Sequence, residues 1–533
     1  MVKVLVIGID AGSWNIIQPL VNEGKLPTIK KLIERSVWGD LKSCEYFYTS
    51  PAWKCYSTGK NPGKLGAVGW WSFNKNDKTI SLVTSRSFKS RELWDILGKH
   101  GLKCGTINMP LTFPPKEING VMITGPPHSD EGCTYPPELE KEIKEEGYKV
   151  NSNFDMTLDG EKAILELPDL ITGRFKLSKK LLDRTAFDFF QVVIFHTDQV
   201  QHSFWKQMEK GDPKNGKAIE YCWKLVDVGI AELLDSLNEN CYTFIISDHG
   251  AVPSKGAFRL NIWLNLNGYL HLKPHSFRNI IDQARLTIGF PYNMKFPLSL
   301  LGEMFIRFSR AVFNGSQRRL ARENIRNIHA QYVLWEKTKA ISIDNNSIYL
   351  TTEHLDTKLK NRLIEDLRFL RNPKSGERVV KDVLKKEDIF KGKYLDLLPD
   401  LIISPEEGYD FVPEPFNGTM RDLWDFSRKR WSGTHKKDGI LLANGPGIKK
   451  GERIDRATIY DVAPTILHIL GFPIPKDVDG RVLKEVFEEN SELAKRSVTY
   501  EKEESLLEED KEEKHSLSDQ EKVAERLKIL GYM

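Results

Sequence analysis

The feature that most constrains the fold is a short apolar run that recurs along the chain and each time ends at acidic or imidazole side chains. Val4–Ile9 is the first such run, and Asp10 follows it directly. Phe190–Phe195 leads into His-Thr-Asp, and Tyr242–Ile246 leads into Ser-Asp-His-Gly. Short runs rich in β-branched residues predict strands that are buried on both faces of a sheet. Their polar ends are then expected at the carboxyl edge of the sheet, where open α/β folds bind ligands.

Helical patterns alternate with these strands. Apolar residues have helical spacing over Pro27–Arg35, Ser90–His100, Ile219–Leu237 and Ile459–Leu470, while Lys103–Asn108 has the pattern of a further strand. Proline at the start of the first of these segments is typical of a helix N-terminus. The alternation predicts a doubly wound α/β fold, with a mostly parallel central sheet and helices on both faces.

The predicted core has two parts, residues 1–265 and 336–490. Between them, residues 266–335 are rich in Leu, Phe and Arg, and we expect a helical insertion or cap there. A basic amphipathic surface of this kind can contact an anionic membrane or substrate, and the alternative is a helix face packed on the core. Residues 491–533 form a charged tail that begins with a segment too polar to order itself. Helical spacing returns over Asp519–Leu530, which predicts a C-terminal helix.

Composition excludes several classes of protein. A net charge of +4 over 533 residues gives no electrostatic case for binding duplex nucleic acid. The six cysteines include no Cys-x-x-Cys pair, which favours reduced, packed thiols and a cytoplasmic location. We expect no signal peptide, because no basic and apolar leader precedes the first strand. No uninterrupted apolar stretch of about 18 residues occurs, so we expect no transmembrane helix.

Acidic and imidazole side chains at the predicted strand ends have the spacing of metal ligands. Asp198 and His202 lie four residues apart on a predicted helix, so they project from one face about one turn apart. Asp248 and His249 are adjacent at a strand end, and His435 lies in a predicted loop of small residues that permits close approach to an ion. Taken singly, Asp-x-x-x-His is also typical of a surface pair, and Asp-His-Gly of an ordinary turn.

Together with the carboxylate after the first strand, these side chains form a mixed nitrogen and oxygen ligand set. Such a set suits zinc, and also manganese or iron. Six ligands exceed the needs of one tetrahedral site, so the pattern predicts two divalent ions in one crevice. The candidate ligands are three carboxylates and three imidazoles: Asp10, Asp198, Asp248, His202, His249 and His435.

Thr49 and Ser50 supply two hydroxyl groups just before Pro51, at a predicted helix start. Backbone N–H groups at a helix N-terminus favour anions. A hydroxyl group is a poor nucleophile by itself, but coordination to a metal lowers its pKa and aligns it for attack. The alternative interpretation of Thr49 and Ser50 is an ordinary helix N-cap.

These residues, in this order, resemble the alkaline phosphatase superfamily, and within it the type I phosphodiesterase/nucleotide pyrophosphatase branch. The resemblance covers residues 1–265 and 336–490 and extends to Asp477–Arg481. It implies a reaction through a covalent phospho-threonine intermediate on Thr49 that water then resolves. It also implies zinc as the usual metal, with manganese used by mutase branches. One ion would be held by Asp198, His202 and His435, and the second by Asp10, Asp248 and His249.

The substrate-binding residues of the family are not all present. Well-characterised nucleotide pyrophosphatases have a His where this chain has Leu65, and an Asn at the position that counting assigns to Trp70. Asn61 and Asn108 are the candidate replacements, and Asn74 is another. Sulfatases of the superfamily have Cys or Ser, then Pro and Arg, where this chain has Thr, Pro and Trp, which argues against sulfate esters.

The sequence therefore predicts a two-metal-dependent hydrolase of phosphodiester or pyrophosphate bonds, acting on a small and possibly nucleotide-linked phosphate ester. A phosphomonoesterase or phosphotransferase of the same superfamily is the main alternative. The other alternative is a non-catalytic binding protein that has kept the fold, which would require a missing ligand or nucleophile.

Overall fold

The computed structural model describes residues 2–156, 159–273, 333–351, 357–416, 418–428, 431–501, 522–524 and 526. The strands of the first part of the chain are β1 (Val4–Ile9), β2 (Val37–Lys42), β3 (Trp71–Asn74), β4 (Thr79–Leu82), β5 (Cys104–Met109), β6 (Gly120–Thr124), β7 (Thr134–Tyr135), β8 (Phe189–Ile194), β9 (Tyr242–Ile246), β10 (Gly250–Pro253) and β11 (Gly256–Arg259). Those of the second part are β12 (Ala340–Ile341), β13 (Ser347–Leu350), β14 (Val380–Lys385), β15 (Leu401–Pro405), β16 (Tyr409–Val412), β17 (Trp424–Asp425), β18 (Gly433–Lys436), β19 (Asp438–Asn444) and β20 (Arg453–Thr458).

The α-helices alternate with the strands of the first part of the chain and continue into the second. They are α1 (Trp14–Asn22), α2 (Pro27–Arg35), α3 (Thr49–Thr58), α4 (Leu93–Lys99), α5 (Leu139–Glu145), α6 (Gly160–Arg184), α7 (His196–Glu209), α8 (Ala218–Leu234), α9 (Leu260–Leu266), α10 (Thr357–Arg368), α11 (Lys386–Ile389), α12 (Val462–Leu470) and α13 (Glu492–Lys495).

A central sheet positions the site. Its strand order is β20-β2-β19-β9-β1-β8-β5-β6-β7. The five strands from β9 to β6 are parallel to one another, and β19 is antiparallel to both of its neighbours. This mostly parallel sheet confirms the predicted doubly wound α/β class. Because β19 and β20 join it from the second part of the chain, the two predicted core segments build one sheet.

Both faces of the sheet are covered, as the continuous apolar runs predict. Val4 and Val6 pack into one buried cluster together with Trp53 of α3, whereas Leu5 and Ile7 pack into the other, which includes side chains of α6, α7 and α8. Every residue of β1 is buried. Alternate residues of one strand thus contribute to two different cores, which is the reason that the strand contains no polar residue before Asp10.

Smaller sheets surround the central one. One has the order β12-β13-β15-β14, another β16-β11-β17, and β3 pairs with β4. The predicted helical insertion of residues 266–335 falls mainly on residues 274–332, which lie outside the described residues, as does the acidic part of the tail. Near the C-terminus, residues 522–524 and 526 are helical, and the Val523, Ala524 and Arg526 side chains are buried.

Element boundaries follow the sequence prediction closely where apolar periodicity is strong. β1, α2 and β9 have the predicted limits, and β8 is shifted by one residue. The helix predicted over Ile459–Leu470 begins with a 3-10 turn and ends at Gly471, whose φ of 79° is a left-handed cap. All six cysteines are unpaired and buried, which confirms packed thiols. Among the described helices, none has the length and apolar character needed to cross a bilayer.

Candidate active site

Three adjacent parallel strands deliver most of the predicted ligands to one place. β1 lies between β8 and β9, and all three end at the same edge of the sheet. Asp10 follows β1, Asp198 lies in the first turn of α7 after β8, and Asp248 and His249 follow β9. Each of these four side chains is almost completely buried. The structure therefore brings together ligands that lie more than 230 residues apart in sequence.

The last predicted ligand arrives from the second part of the chain. We expected His435 in a loop, and this is wrong: it lies on β18, which pairs antiparallel with β10, so that His435 stands opposite Ala251. Gly433, which we predicted to permit close approach to an ion, permits close approach to α7. A side chain on Gly433 would lie 2.5 Å from the backbone oxygen of Gln201, so only glycine lets β18 approach α7 this closely.

Asp198, His202 and His435 form one tight group. His202 Nε2 lies 3.1 Å from Asp198 Oδ1 and 3.0 Å from His435 Nε2. The distance from His435 Nε2 to Asp198 Oδ1 is 3.5 Å. His202 Nδ1 is within 2.8 Å of the Gly433 carbonyl oxygen, which fixes the ring and leaves Nε2 directed at the other two ligands. Three ligand atoms that converge in this way match the set predicted for one ion.

A second group forms around His249. Its Nε2 lies 3.6 Å from Asp10 Oδ1 and 3.2 Å from Asp248 Oδ2, while its Nδ1 lies 3.1 Å from the Gly250 carbonyl oxygen. The ligand atoms of Asp10, His249 and Asp198 also lie within 4.8 Å of one another. Asp198 thus stands between the two groups, and the assignment of Asp248 to the second ion stays a prediction.

Thr49 is the first residue of α3, and its hydroxyl group points at the second group. Thr49 Oγ1 lies 3.4 Å from Asp10 Oδ1 and 3.2 Å from His249 Nε2. The residue before it, Tyr48, is extended and makes no side-chain cap to the helix. Ser50 is directed elsewhere, because its hydroxyl group donates a hydrogen bond to the Gly69 carbonyl oxygen. The two neighbouring hydroxyl groups therefore have different surroundings.

Asp10 is held in place by a contact that the sequence pattern did not indicate. Trp53 Nε1 donates a 2.9 Å hydrogen bond to Asp10 Oδ2. The indole reaches it by lying across β1, where a side chain on Gly8 would be 2.5 Å from the Trp53 ring. Two sequence signals for this contact were available. Gly8 lies within a buried strand, where glycine marks close approach of another group, and Trp53 lies one turn into α3.

Burial and mutual repulsion shape the electrostatics of the carboxylates. Burial, with the charges of Asp248 and Asp198, raises the pKa of Asp10 well above its usual value. Burial and Asp198 likewise raise the pKa of Asp248. At Asp198 burial acts in the same sense, but His202 and His435 outweigh it and hold that pKa well below its usual value. A buried site with three carboxylates of this kind is compensated best by cations.

The pKa values of the histidines are also shifted in opposite directions. Burial and the neighbouring His435 lower the pKa of His249 well below its usual value, so its imidazole is neutral. At His202 burial is outweighed by Asp198, which raises the pKa. Neutral imidazoles and carboxylates are the forms that bind metals. The buried Asp248 Oδ2 accepts no hydrogen bond from the described residues, which leaves a carboxylate oxygen available to an ion. The donor set therefore fits divalent metals.

A layer of aromatic and polar side chains around the histidines was also not predicted. The Tyr48 ring lies edge-on to His435, with centroids 4.9 Å apart, and Trp431 lies 3.9 Å from the His202 ring. Tyr48 Oη and Thr434 Oγ1 both donate to the carboxylate of Asp410, which comes from β16. Asp410 lies at no strand end that apolar periodicity revealed, so no sequence pattern indicated it.

The two candidate substrate-binding amides lie in different surroundings. Asn61 Nδ2 donates to Asp479 Oδ2 and to the Lys391 carbonyl oxygen, and neither partner belongs to the ligand groups. Asn108 lies at the end of β5, beside β8, with a positive φ of 59°. Its Nδ2 donates to the Val193 carbonyl oxygen, while its buried Oδ1 has no hydrogen-bond partner in the part of the chain that the structure describes. A substrate-binding role for either residue stays a prediction.

Comparison with known families agrees with this arrangement. The family model for type I phosphodiesterase/nucleotide pyrophosphatase matches residues 4–435, a span that contains all six candidate ligands and Thr49. The chain belongs to this family. It is therefore a phosphoric ester hydrolase of the alkaline phosphatase superfamily. No protein of curated function matches the chain in sequence.

Solved structures show the same fold at low sequence identity. Phosphonoacetate hydrolase from Sinorhizobium meliloti, in complex with phosphonoformate, is 11% identical, with a TM-score of 0.54 over 87% of this chain and 94% of that one. An inactive murine ectonucleotide pyrophosphatase/phosphodiesterase 5, in complex with AMP, is 13% identical, with a TM-score of 0.49 over 89% of this chain and 96% of that one. The first similarity supports the alkaline phosphatase-like fold.

Proposed function

We propose that this family member hydrolyses phosphodiester or pyrophosphate bonds with two divalent metal ions and Thr49 as the nucleophile. One observation carries the proposal: Thr49 Oγ1 lies within 3.4 Å of Asp10 Oδ1 and 3.2 Å of His249 Nε2, at the edge of the second ligand group. The helix start at Thr49 adds the partial positive charge of unpaired N–H groups, which favours an approaching phosphoryl group.

The protein's own residues would carry the reaction in two displacements. Thr49 Oγ attacks phosphorus, the bond to the leaving alcohol or phosphate breaks, and the phosphoryl ester is transferred to the threonine. Water then attacks the same phosphorus atom and releases Thr49. Asp10 and His249 flank the hydroxyl oxygen and orient it for attack, while Trp53 fixes the Asp10 carboxylate through its indole N–H. The proton that Thr49 loses passes through solvent to the leaving oxygen, and the attacking water returns a proton to Thr49.

Two metal ions would be held by Asp198, His202 and His435 on one side and by Asp10, Asp248 and His249 on the other. When bound, the ions supply charge stabilisation for the phosphoryl oxygens and lower the pKa of the attacking hydroxyl. Zinc is the metal that we propose, because nitrogen and carboxylate ligands of this kind suit it, with manganese as the alternative.

The substrate that we propose is a small, nucleotide-linked phosphate ester. Support comes from the family description and from the neighbour in complex with AMP. Within the described residues, Trp431 beside His202 offers an aromatic surface at the crevice. A cytoplasmic location and peripheral membrane contact through the Arg-rich segment stay predictions of the sequence.

The test is turnover of a chromogenic phosphodiester by Thr49→Ala, with metal analysis of the same preparation. We expect turnover to fall by roughly 10³-fold or more, because the covalent step is lost, while the metal content is unchanged. Ser50→Ala is the matched control, since Ser50 donates to Gly69 and not to the ligand groups, and it should retain turnover. Full activity in Thr49→Ala would disprove the nucleophile.

The same assay separates the two catalytic classes of the superfamily. A monoester and a diester with one common leaving group are compared on the wild-type protein. Preference for the diester supports the proposal, whereas preference for the monoester would replace it with a phosphomonoesterase that uses the same residues.

A further inference from the structure

A second buried polar cluster lies beside helix α7. It consists of arginine and histidine side chains, whereas the active site combines carboxylates with histidines. Its members are His128, Arg174, His196 and Arg526, with 1%, 1%, 2% and 5% of their surface exposed. They come from the loop after β6, from α6, from the start of α7 and from the C-terminal segment. Together they form what we call the basic cluster.

One short backbone segment, residues 149–152, ties the cluster together. Arg174 Nη1 and Nη2 donate to the carbonyl oxygens of Lys149 and Val150 at 2.7 and 2.6 Å. Arg526 Nη1 donates to the Ser152 carbonyl oxygen at 3.1 Å. Asn151 Nδ2 donates to the His128 carbonyl oxygen at 3.2 Å. The C-terminal segment is thereby attached to the same backbone as α6.

Several polar atoms of the basic cluster have no hydrogen-bond partner among the described residues. They are Arg174 Nε, His128 Nε2 and His196 Nδ1, and all three are buried. The other ring nitrogen of His128 is used, because Nδ1 lies 3.2 Å from Thr124 Oγ1. Unpaired buried polar atoms are costly in a folded protein, and Arg174 Nε can only donate, so the cluster indicates a missing acceptor.

Among the described residues, no carboxylate forms an ion pair with Arg174, and its guanidinium group lies 5.2 Å from the centroid of the Tyr148 ring. Two acidic side chains that contact the 149–153 segment have other partners: Glu166 accepts from Lys149 and Ser152, and Asp130 accepts from Asn151. A buried guanidinium without a counter-charge is strongly unfavourable, which again indicates a missing anion.

The hydrogen bonds place both guanidinium groups on one short stretch of backbone, since their acceptors are the carbonyl oxygens of residues 149, 150 and 152. His128 belongs to the same stretch through Asn151. In agreement with this arrangement, burial and the charges of Arg526 and Arg174 lower the pKa of His128.

We propose that the basic cluster binds one small oxyanion of the phosphate class between Arg174, Arg526, His128 and His196. Arginine offers planar donors that match phosphate oxygens, and the ring N–H group of a neutral imidazole can supply a further hydrogen bond. The site is separate from the nucleophile. His196 precedes Asp198 by two residues, which places the two side chains about 200° apart around α7. The anion would also fasten the C-terminal segment to the core through Arg526.

The same chemistry has two sources, free inorganic phosphate or a second anionic group of the substrate. The test is equilibrium dialysis of the wild-type holoenzyme with radiolabelled inorganic phosphate at fixed ionic strength. We expect Arg174→Gln and Arg526→Gln each to bind one phosphate fewer per chain than the wild type. Arg184→Gln is the matched control: it removes the same charge from the same helix, at an exposed position paired with Glu142, and should bind as many as the wild type.

His435→Ala distinguishes phosphate bound at the metal centre from phosphate bound in the basic cluster. This variant lacks a candidate metal ligand but should still bind phosphate in the basic cluster. The proposal therefore does not depend on turnover. If Arg174→Gln does not fold, because it also releases the 149–150 backbone, Arg526→Gln gives the answer. Equal phosphate binding by the wild type, Arg526→Gln and Arg184→Gln would overturn a site for the free anion.

The substrate source is tested by KM values for two diesters that differ by one additional phosphate group. Because the basic cluster lies on the opposite side of α7 from the ligand groups, we expect Arg526→Gln to leave both KM values unchanged, as free phosphate requires. A rise of tenfold or more for the doubly charged diester alone would instead assign the anion to the substrate. If neither the phosphate count nor this KM ratio responds to Arg526→Gln, the basic cluster binds no oxyanion and the proposal is wrong.

Discussion

Two buried polar clusters lie on different sides of helix α7, and they have opposite electrostatic needs. On one side, Asp198 and His202 join carboxylates and imidazoles that call for cations. On the other, His196 belongs to the basic cluster, for which we propose an anion. Both begin in the first turn of the same helix, directly after β8. A single strand–helix junction thus contributes side chains to an acidic site and to a basic cluster.

The comparison shows why one cluster was predictable and the other was not. The cation cluster is built from strand ends and from one Asp-x-x-x-His spacing, so elementary rules of α/β folds predict where its members meet. The basic cluster gathers residues from four distant segments that share no spacing. No sequence pattern singled out Arg174 or Arg526, and only the fold shows that both are buried.

The largest effect is expected from a substitution among the candidate metal ligands that α7 contributes. Asp198→Asn removes the carboxylate that lies within reach of both ligand groups, so at least one ion should be lost and turnover of a phosphodiester should fall by roughly 10³-fold or more. Metal analysis and initial rates are measured on the same sample. Ser203→Ala is the control on the same helix, because the Ser203 hydroxyl has no partner among the described residues, and its rate should equal that of the wild type.

A smaller effect is expected from the layer that supports the ligands. Trp53→Phe keeps the ring that covers Gly8 but removes the hydrogen bond to Asp10, so kcat should fall by about tenfold, with both metals retained. Trp223→Phe makes the same substitution in α8, where the indole N–H has no hydrogen-bond partner among the residues described, and should leave kcat unchanged. Equal rates for the two variants would show that Trp53 contributes packing only.

The fold could be predicted from the sequence where burial on both faces leaves a continuous apolar run, as in β1, β8 and β9. Prediction was wrong at His435, because a four-residue strand beside a glycine has too little periodicity to distinguish it from a loop. Asp410 and Trp53 could not be assigned to the site, since their contacts with Tyr48 and Asp10 depend on how whole elements pack. The local sequence pattern therefore predicted the candidate ligands, whereas the residues that support them depend on tertiary packing.

The most direct test of the central claim is the number of divalent ions bound per chain, measured by elemental analysis of protein purified without chelators. Two ions per chain in the wild type are predicted, with one lost in His202→Ala, which removes a ligand of the first group only, and with turnover lost together with that ion. Fewer than one ion per chain in a preparation that hydrolyses phosphodiesters at full rate would contradict the account.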